Sequence, residues 1–209
     1  MKQRIFYILL LFSLVACKNS LLDYKTNYIY QSDNTLNYDI KIDYPVFKSS
    51  DLKELNQAIK STIDSNIFEF KKFILDFEGV SMRSLSYGFE VKLNNEEYIS
   101  ITQTFSWAVP GVERILYRYK NINYNRVKKK FISVDELFLP NSNFRDSLKA
   151  IANENLKLNS FPTVDSIESF DNFFFSKDTL YFNLLLTDQT QYSDYTFAVE
   201  KSRLKKLMK

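Results

Sequence analysis

The sequence predicts an α+β fold: an antiparallel sheet with one long helix and shorter helices packed against it. Three observations carry this. Several runs place apolar residues at every second position, one run of more than twenty residues places them three and four apart, and a second, shorter stretch does the same near residue 150. The chain has 209 residues, 45% of them hydrophobic and 25% charged, which suits one globular domain with a short appendage. With only 3 Gly and 4 Pro against 19 Phe and 14 Tyr, a disordered or collagen-like chain is excluded.

Met1-Lys2-Gln3-Arg4 is a basic start, followed by an apolar run from Ile5 to Ala16. That run is shorter than the roughly 20 residues a membrane span needs, so residues 1–16 are expected to be a secretory signal. Leu14-Val15-Ala16-Cys17 is similar to a bacterial lipobox, which makes Cys17 the expected acylated residue. Cys17 is the sole cysteine, so lipidation would leave no thiol in an oxidising compartment. Several acyl chains on one residue give stable anchoring, where one chain alone does not. Residues 17–34 are then the lipidated cysteine and a polar tether, and 35–209 a single domain. The anchor makes the membrane the first expected partner. The chain is placed in the bacterial cell envelope, with the outer membrane favoured because Lys18 follows the cysteine.

Leu36, Tyr38, Ile40, Ile42 and Tyr44 alternate with polar residues and predict a strand ending near Pro45. Leu52, Leu55, Ile59, Ile63, Ile67, Phe70, Ile74 and Phe77 then predict an amphipathic helix over 51–78, with Asp51 and Glu54 spaced as a capping box. Its opposite face carries mixed charge, which favours core packing over membrane insertion. Leu85 to Leu93 and Ile99 to Phe105 read as a hairpin about the turn Asn94-Asn95-Glu96-Glu97. A third strand runs from Ile115 to Tyr124, and 127–133 is expected to pair with it after a basic turn. Residues 134–138 predict a helical turn, and Phe144 to Leu156 a second helix. Phe161 to Ser169 is expected to be loop. Phe173-Phe174-Phe175 and 179–186 form another hairpin, Tyr195 to Val199 a last strand, and Ser202 to Lys209 a basic helix. Short connections favour antiparallel neighbours throughout.

Removal of residues 1–16 takes away Lys2 and Arg4 and lowers the formal charge from +3 to +1, which gives no case for nucleic acid. Lys128-Lys129-Lys130 reads as a solvated turn. With no histidine in the chain there is no imidazole base and no His-ligated metal, and no cofactor is nominated. Glu96-Glu97 and Asp135-Glu136 are paired acids. The first pair falls in a turn, and the second suits a helix N-terminus. A carboxylate-only glycan hydrolase is a remote alternative, and no EF-hand-like calcium loop is present. The leading binding candidate is the 107–111 loop, where Trp107 beside Pro110 and Gly111 can present a rigid aromatic anchor. Trp107 can equally close the core from the sheet edge. Tyr117 and Tyr119, with Tyr124, can form a sugar- or peptide-binding face or pack as ordinary strand residues.

The order of elements adds to this reading. A strand ending in Tyr44-Pro45 runs into the long helix, and a hairpin containing Ile99-Ser100-Ile101 leads to Asn121-Ile122-Asn123-Tyr124. A basic turn, Phe131-Ile132-Ser133-Val134-Asp135-Glu136-Leu137-Phe138, a helix and Phe175-Ser176-Lys177-Asp178-Thr179-Leu180-Tyr181-Phe182 follow. Over about residues 36–208 this resembles the extracytoplasmic domain shared by RsiV-type lysozyme-sensing anti-sigma factors and PdaC-type peptidoglycan deacetylases. Two loops depart from the family pattern: 106–112 has one Gly and no His, and 188–194 lacks the Gly-rich stretch. The resemblance implies a non-catalytic envelope module that binds a lysozyme-like protein or a peptidoglycan fragment. The deacetylase's catalytic half and the sigma-binding segment have no counterpart here. A structural subunit of an envelope assembly is the alternative.

Overall fold

The computed structural model describes residues 24–75, 83–108, 116–159, 170–188 and 191–209. Its first sheet has six strands in the order β1 to β6. These are β1 (Tyr24–Asp33), β2 (Tyr38–Phe47), β3 (Arg83–Asn94), β4 (Tyr98–Ala108), β5 (Leu116–Asn125) and β6 (Lys130–Phe131). A second sheet holds β7 (Phe173–Phe175), β8 (Thr179–Asp188) and β9 (Gln191–Glu200) in sequence order. Helix α1 spans Lys53–Leu75, α2 Phe144–Leu158, and α3 is a single turn at Lys201–Leu204. The signal segment and Cys17 lie outside the described residues, as do 160–169.

Helix α1 forms because its apolar residues make one stripe. Leu55, Ile59, Ile63, Ile67, Phe70 and Ile74 are all buried against the first sheet, on Ile40, Ile42, Leu85, Tyr87, Ile99, Ile101 and Phe105. At 1.5 Å per residue its 23 residues span about 35 Å. Burying six large side chains contributes on the order of 10 kcal/mol of gross stabilisation. The expected capping box is not formed. A 3₁₀ turn, Ser50–Leu52, precedes α1; its N-cap Ser49 makes no side-chain bond, and Asp51 within it lies 3.5 Å from Lys129. Asn56 fastens the helix to the end of β2 instead, accepting from the Phe47 N–H at 2.9 Å and donating to the Phe47 carbonyl at 2.8 Å.

Two sequence expectations need correction. Residues 24–33 are not tether: they form β1, in antiparallel register with β2 from Tyr24↔Phe47 to Asp33↔Tyr38. Its alternation is hidden because an edge strand on a sheet covered mainly elsewhere buries few side chains. Tyr28 and Tyr30 stay exposed, while Ile29 packs on the core. The first sheet is also mixed rather than antiparallel, since β2 and β3 run parallel. A helix inserted between two neighbouring strands returns the chain to the starting end of the first, and α1 is such a crossover. Pro45 lies within β2 beyond the last β2–β3 pair, where only β1 adjoins.

The second core joins α2 to the second sheet. Phe144, Leu148, Ile151, Ala152 and Leu156 pack with Phe173, Phe175, Phe182, Phe197 and Val199. Two polar junctions connect the sheets. On the first sheet's outer face, Ser100 donates to Asn123 at 2.7 Å and accepts from the Phe175 N–H at 3.1 Å. Asn123 donates to the Phe173 carbonyl at 2.7 Å. These side chains therefore complete the open edge of β7. In return, the Asn172 side chain accepts from the Asn121 N–H and donates to the Tyr119 carbonyl, both at 3.0 Å, completing the edge of β5. Asn121 also donates to Asn183 at 2.6 Å, and Asn183 to Thr196 at 2.6 Å. Asn123→Ala should cost about 3 kcal/mol, because a buried hydroxyl and a buried carbonyl each lose a partner at roughly 1–3 kcal/mol. Urea unfolding monitored by circular dichroism reads this directly.

Tyrosine hydroxyls in and beside the core carry an alkaline limit. Burial pushes the Tyr87 hydroxyl well above its usual range, and it donates to the buried Gln103 at 2.9 Å. Hydrogen bonding to Glu97, with burial, pushes Tyr98 up to about 12. A raised folded-state pKa gives stability that is complete below the unfolded value near 10 and declines as pH rises through the folded value. Thermal midpoints should therefore fall progressively above about pH 10. Tyr87→Phe should lower stability at pH 7 by about 1–2 kcal/mol, since Gln103 loses its donor, and should flatten the alkaline decline.

Candidate functional site

A cleft of about 380 Å³ opens between the polar flank of α1 and the strands β4 and β5. Helical geometry places Ser61 with Ser65, and Thr62 with Asn66, in two i,i+4 pairs beside the buried Ile63 and Ile67. These short side chains leave a space that Leu or Lys would fill. The facing wall is β5, where Arg118 sits opposite Phe105 and Lys120 opposite Gln103. Directly opposed residues share a sheet face, so both cations lie on the helix side. Tyr119 adds the third β5 residue of the lining.

Two features make the cleft electropositive and pre-organised. The Arg118 guanidinium carbon lies 4.3 Å from the centroid of the Trp107 ring, a cation–π contact that restricts its long side chain. Neither Arg118 nor Lys120 forms an ion pair among the described residues. Thr62 uses its hydroxyl on the Ala58 carbonyl at 3.0 Å, and the Asn66 amide nitrogen donates to the Thr62 carbonyl at 2.9 Å. The Ser61 and Ser65 hydroxyls and the Asn66 carbonyl oxygen are left for a ligand. A shallower hollow of about 400 Å³ at the start of α1 is lined by Ser49, Ser50, Lys53 and Lys60. There Asn56 is committed to Phe47 and Lys60 to Asp64, so fewer groups remain.

The expected site residues fall differently. Trp107 is 3% exposed and packs on Phe70 at 5.7 Å and Phe73 at 5.4 Å, so its ring belongs to the core. Its indole N–H has no hydrogen-bond partner. It reaches the site only through Arg118. Tyr117 is exposed on the outer face, and Tyr119 is half-buried at the cleft rim. Tyr124 lies on the opposite face, buried against Phe131, so the three tyrosines do not share a surface. Five positions separate 119 from 124, and that odd spacing is the signal that puts them on opposite faces. Pro110, Gly111 and Cys17 lie outside the described residues.

The paired acids are engaged locally. Asp135 binds Arg145 at 3.0 Å and Glu136 binds Lys130 at 2.7 Å, both on the surface. Glu97 and Glu96 stand in the exposed β3–β4 turn. Among the described residues no group of three or more Cys, Asp or Glu could hold a metal ion. The basic block is a turn in which Lys129 adopts a φ of 52° and the Asn125 side chain accepts from the Lys128 N–H at 2.7 Å.

Trp107→Ala should cost about 3–5 kcal/mol of stability, the usual loss for a large core aromatic. Guanidinium unfolding checks this. A change confined to ligand binding, with unfolding unmoved, would mean that the ring is exposed in solution.

No family model matches the chain. Over 190 residues it is 24% identical to the peptidoglycan-N-acetylmuramic acid deacetylase PdaC of Bacillus subtilis strain 168. The match takes in 84% of this chain and 39% of the deacetylase, so the chain spans well under half the length of that relative. Two crystal structures of DUF3298 family proteins share the fold. One, from Bacteroides fragilis NCTC 9343, gives a TM-score of 0.63 at 13% identity and covers 90% of this chain and 94% of its own. The other, from Pseudomonas aeruginosa PAO1, gives 0.65 at 12% identity with the same coverage. The layered arrangement of α1, mixed sheet and second sheet is thus shared with the DUF3298 family structures, and the sequence is similar to one portion of PdaC.

Proposed function

We propose that this chain is an extracytoplasmic, lipid-anchored cell-envelope domain that binds a peptidoglycan fragment and does not itself catalyse a reaction. The match to one portion of a peptidoglycan deacetylase supports the envelope setting and the cell-wall ligand class. The observation that carries the binding reading is the cleft beside α1, whose lining of hydroxyl, amide and cationic groups includes no carboxylate and no thiol. Such a lining holds a polar ligand and lacks the two carboxyl groups that most glycoside hydrolysis uses.

A lysozyme-like protein is the second ligand in view, and the cleft disfavours it. Lysozymes are commonly basic, and a site bearing two unpaired cations repels a basic partner. Nor do the exposed apolar residues point to a docking face for an assembly. Tyr28 and Tyr30 lie on β1, Phe68 and Leu75 on α1, Val127 in the basic turn and Leu158 on α2. Tyr28 and Tyr30 share one face of β1 and the rest are spread over α1, the basic turn and α2, a scatter that is ordinary on a protein surface.

Anchoring rests on the lipobox at Leu14-Val15-Ala16-Cys17. Among the described residues no helix is long and apolar enough to cross a membrane. Metabolic labelling with an alkyne-bearing palmitate should mark the wild-type chain and not Cys17→Ser; equal labelling of both would sink the anchor. For the ligand, residues 18–209 immobilised as bait should retain muropeptides from a digest of the producing cell's own wall. Retention of a lysozyme and no muropeptide would reverse the order of the two ligands.

A further inference from the structure

We infer that the cleft between α1 and β5 is a carboxylate-binding site, with Arg118 and Lys120 holding the two oxygens of an acid group on the ligand. This deepens the proposed function and rests on it: within a peptidoglycan fragment, it selects the free carboxylates of the stem peptide over the neutral sugars.

The argument begins with charge. Arg118 and Lys120 are two residues apart on one strand, so both side chains leave the same face of β5, roughly 7 Å apart along the chain. Like charges that close repel each other, and a nearby acid would relieve the repulsion. Here no described carboxylate forms an ion pair with either one. The facing helix offers Ser61, Thr62, Ser65 and Asn66 where Asp or Glu could have stood. An anion entering the cleft relieves this repulsion, and a neutral ligand does not.

Geometry then narrows the anion. The Arg118 guanidinium carbon lies 4.3 Å from the Trp107 centroid, and its N–H groups make no hydrogen bond among the described residues, so they remain for an acceptor. A planar guanidinium edge suits a planar two-oxygen acceptor, in the bidentate fork of an arginine–carboxylate pair. Lys120 supplies a point charge two residues further along β5, opposite the buried Gln103. Ser61 and Ser65 can donate to oxygens of the same ligand from the opposite wall. About 380 Å³ accommodates an acid group with one or two attached residues and is too small for a folded partner.

Trp107 makes the inference testable without a label, because it is the single tryptophan in the chain. A carboxylate that draws on Arg118 alters the cation above the indole, and so its emission. Residues 18–209, which contain every strand and helix described, would be titrated with N-acetylmuramyl-L-alanyl-D-isoglutamine, whose free carboxylate is the test group. Parallel titrations would use di-N-acetylchitobiose, a neutral sugar, and inorganic phosphate, the competing anion. Calorimetry would follow the same series.

The expected result is saturable binding of the acidic glycopeptide, weakened about tenfold or more by Arg118→Gln and by Lys120→Gln, and weakened by raising salt to 0.5 M. Both residues are exposed, so the variants should keep the wild-type circular dichroism and melting temperature. Equal binding of the neutral disaccharide, with the two Gln variants unaffected, would overturn the carboxylate assignment and leave the glycan reading standing. Phosphate binding as tightly as the glycopeptide would overturn the choice of carboxylate. Muropeptide retention on the immobilised domain that survives both Gln substitutions would show the cell-wall reading correct and this site wrong.

Discussion

The two halves of this molecule are held together by asparagine and serine side chains that act as missing strands. An open sheet edge presents N–H and C=O groups that need partners, and a buried one cannot use water. At β7 the partners come from Ser100 and Asn123, which stand on the outer face of the first sheet. At β5 they come from Asn172, just before β7. The exchange is reciprocal, and each sheet satisfies the other's edge through side chains. Such a junction fixes register in a way that apolar packing alone does not, because a one-residue slip would leave several buried groups unpaired at once. It also explains why Asn121 and Asn123 can be buried at alternate positions of one strand, while Asn125 is satisfied by the Lys128 N–H of the following turn.

The junction has a consequence for the opposite face of β5. With Asn121 and Asn123 committed to the second sheet, the even-numbered residues face α1. Ile122 and Tyr124 do so as core. Arg118 and Lys120 do not pack beneath the helix, and the small polar residues of α1 leave the space in front of them open. The same strand thus builds a junction with one face and a cleft with the other. The Trp107 ring ties the two levels together: buried among Phe70 and Phe73, it supports Arg118 from below. A mobile arginine on an exposed strand would lose more side-chain entropy on gripping a ligand than one already resting on an aromatic surface.

Most of the fold is legible in the sequence because periodicity reports burial. The stripe from Leu55 to Ile74 has one good solution, and the β3–β4 and β7–β8 hairpins announce their turns through Asn95 and Ser176-Lys177-Asp178. What escapes is pairing between elements distant in sequence. The parallel β2–β3 contact leaves no local trace beyond a helix between two strands, and α1 is itself the reason for it. Strand β1 escapes for a different reason. Its exposed tyrosines and polar residues satisfy a ten-residue ladder through the backbone, which no side-chain pattern reveals.

The site is less legible than the fold, and the difference is physical. An aromatic such as Trp107 attracts attention because it is rare, yet rarity does not distinguish an anchor from a core residue. Its burial depends on Phe70 and Phe73, more than thirty positions away. Arg118 and Lys120 look like ordinary strand cations until the register with β4 turns them toward the helix. Ser61 and Ser65 look like an ordinary polar flank until β5 is set opposite. Each component is commonplace alone, and the electrostatic meaning arises only from juxtaposition: two cations, no acid, and a wall of hydrogen-bonding groups. The same reasoning shows why the clustered acids mislead. Asp135 and Glu136 are conspicuous neighbours in sequence, but Arg145 and Lys130 neutralise them at the surface. Surface ion pairs of that kind contribute little. On the proposed reading, charges left without a partner, rather than charges that stand together, mark where this domain would offer a ligand free energy of interaction.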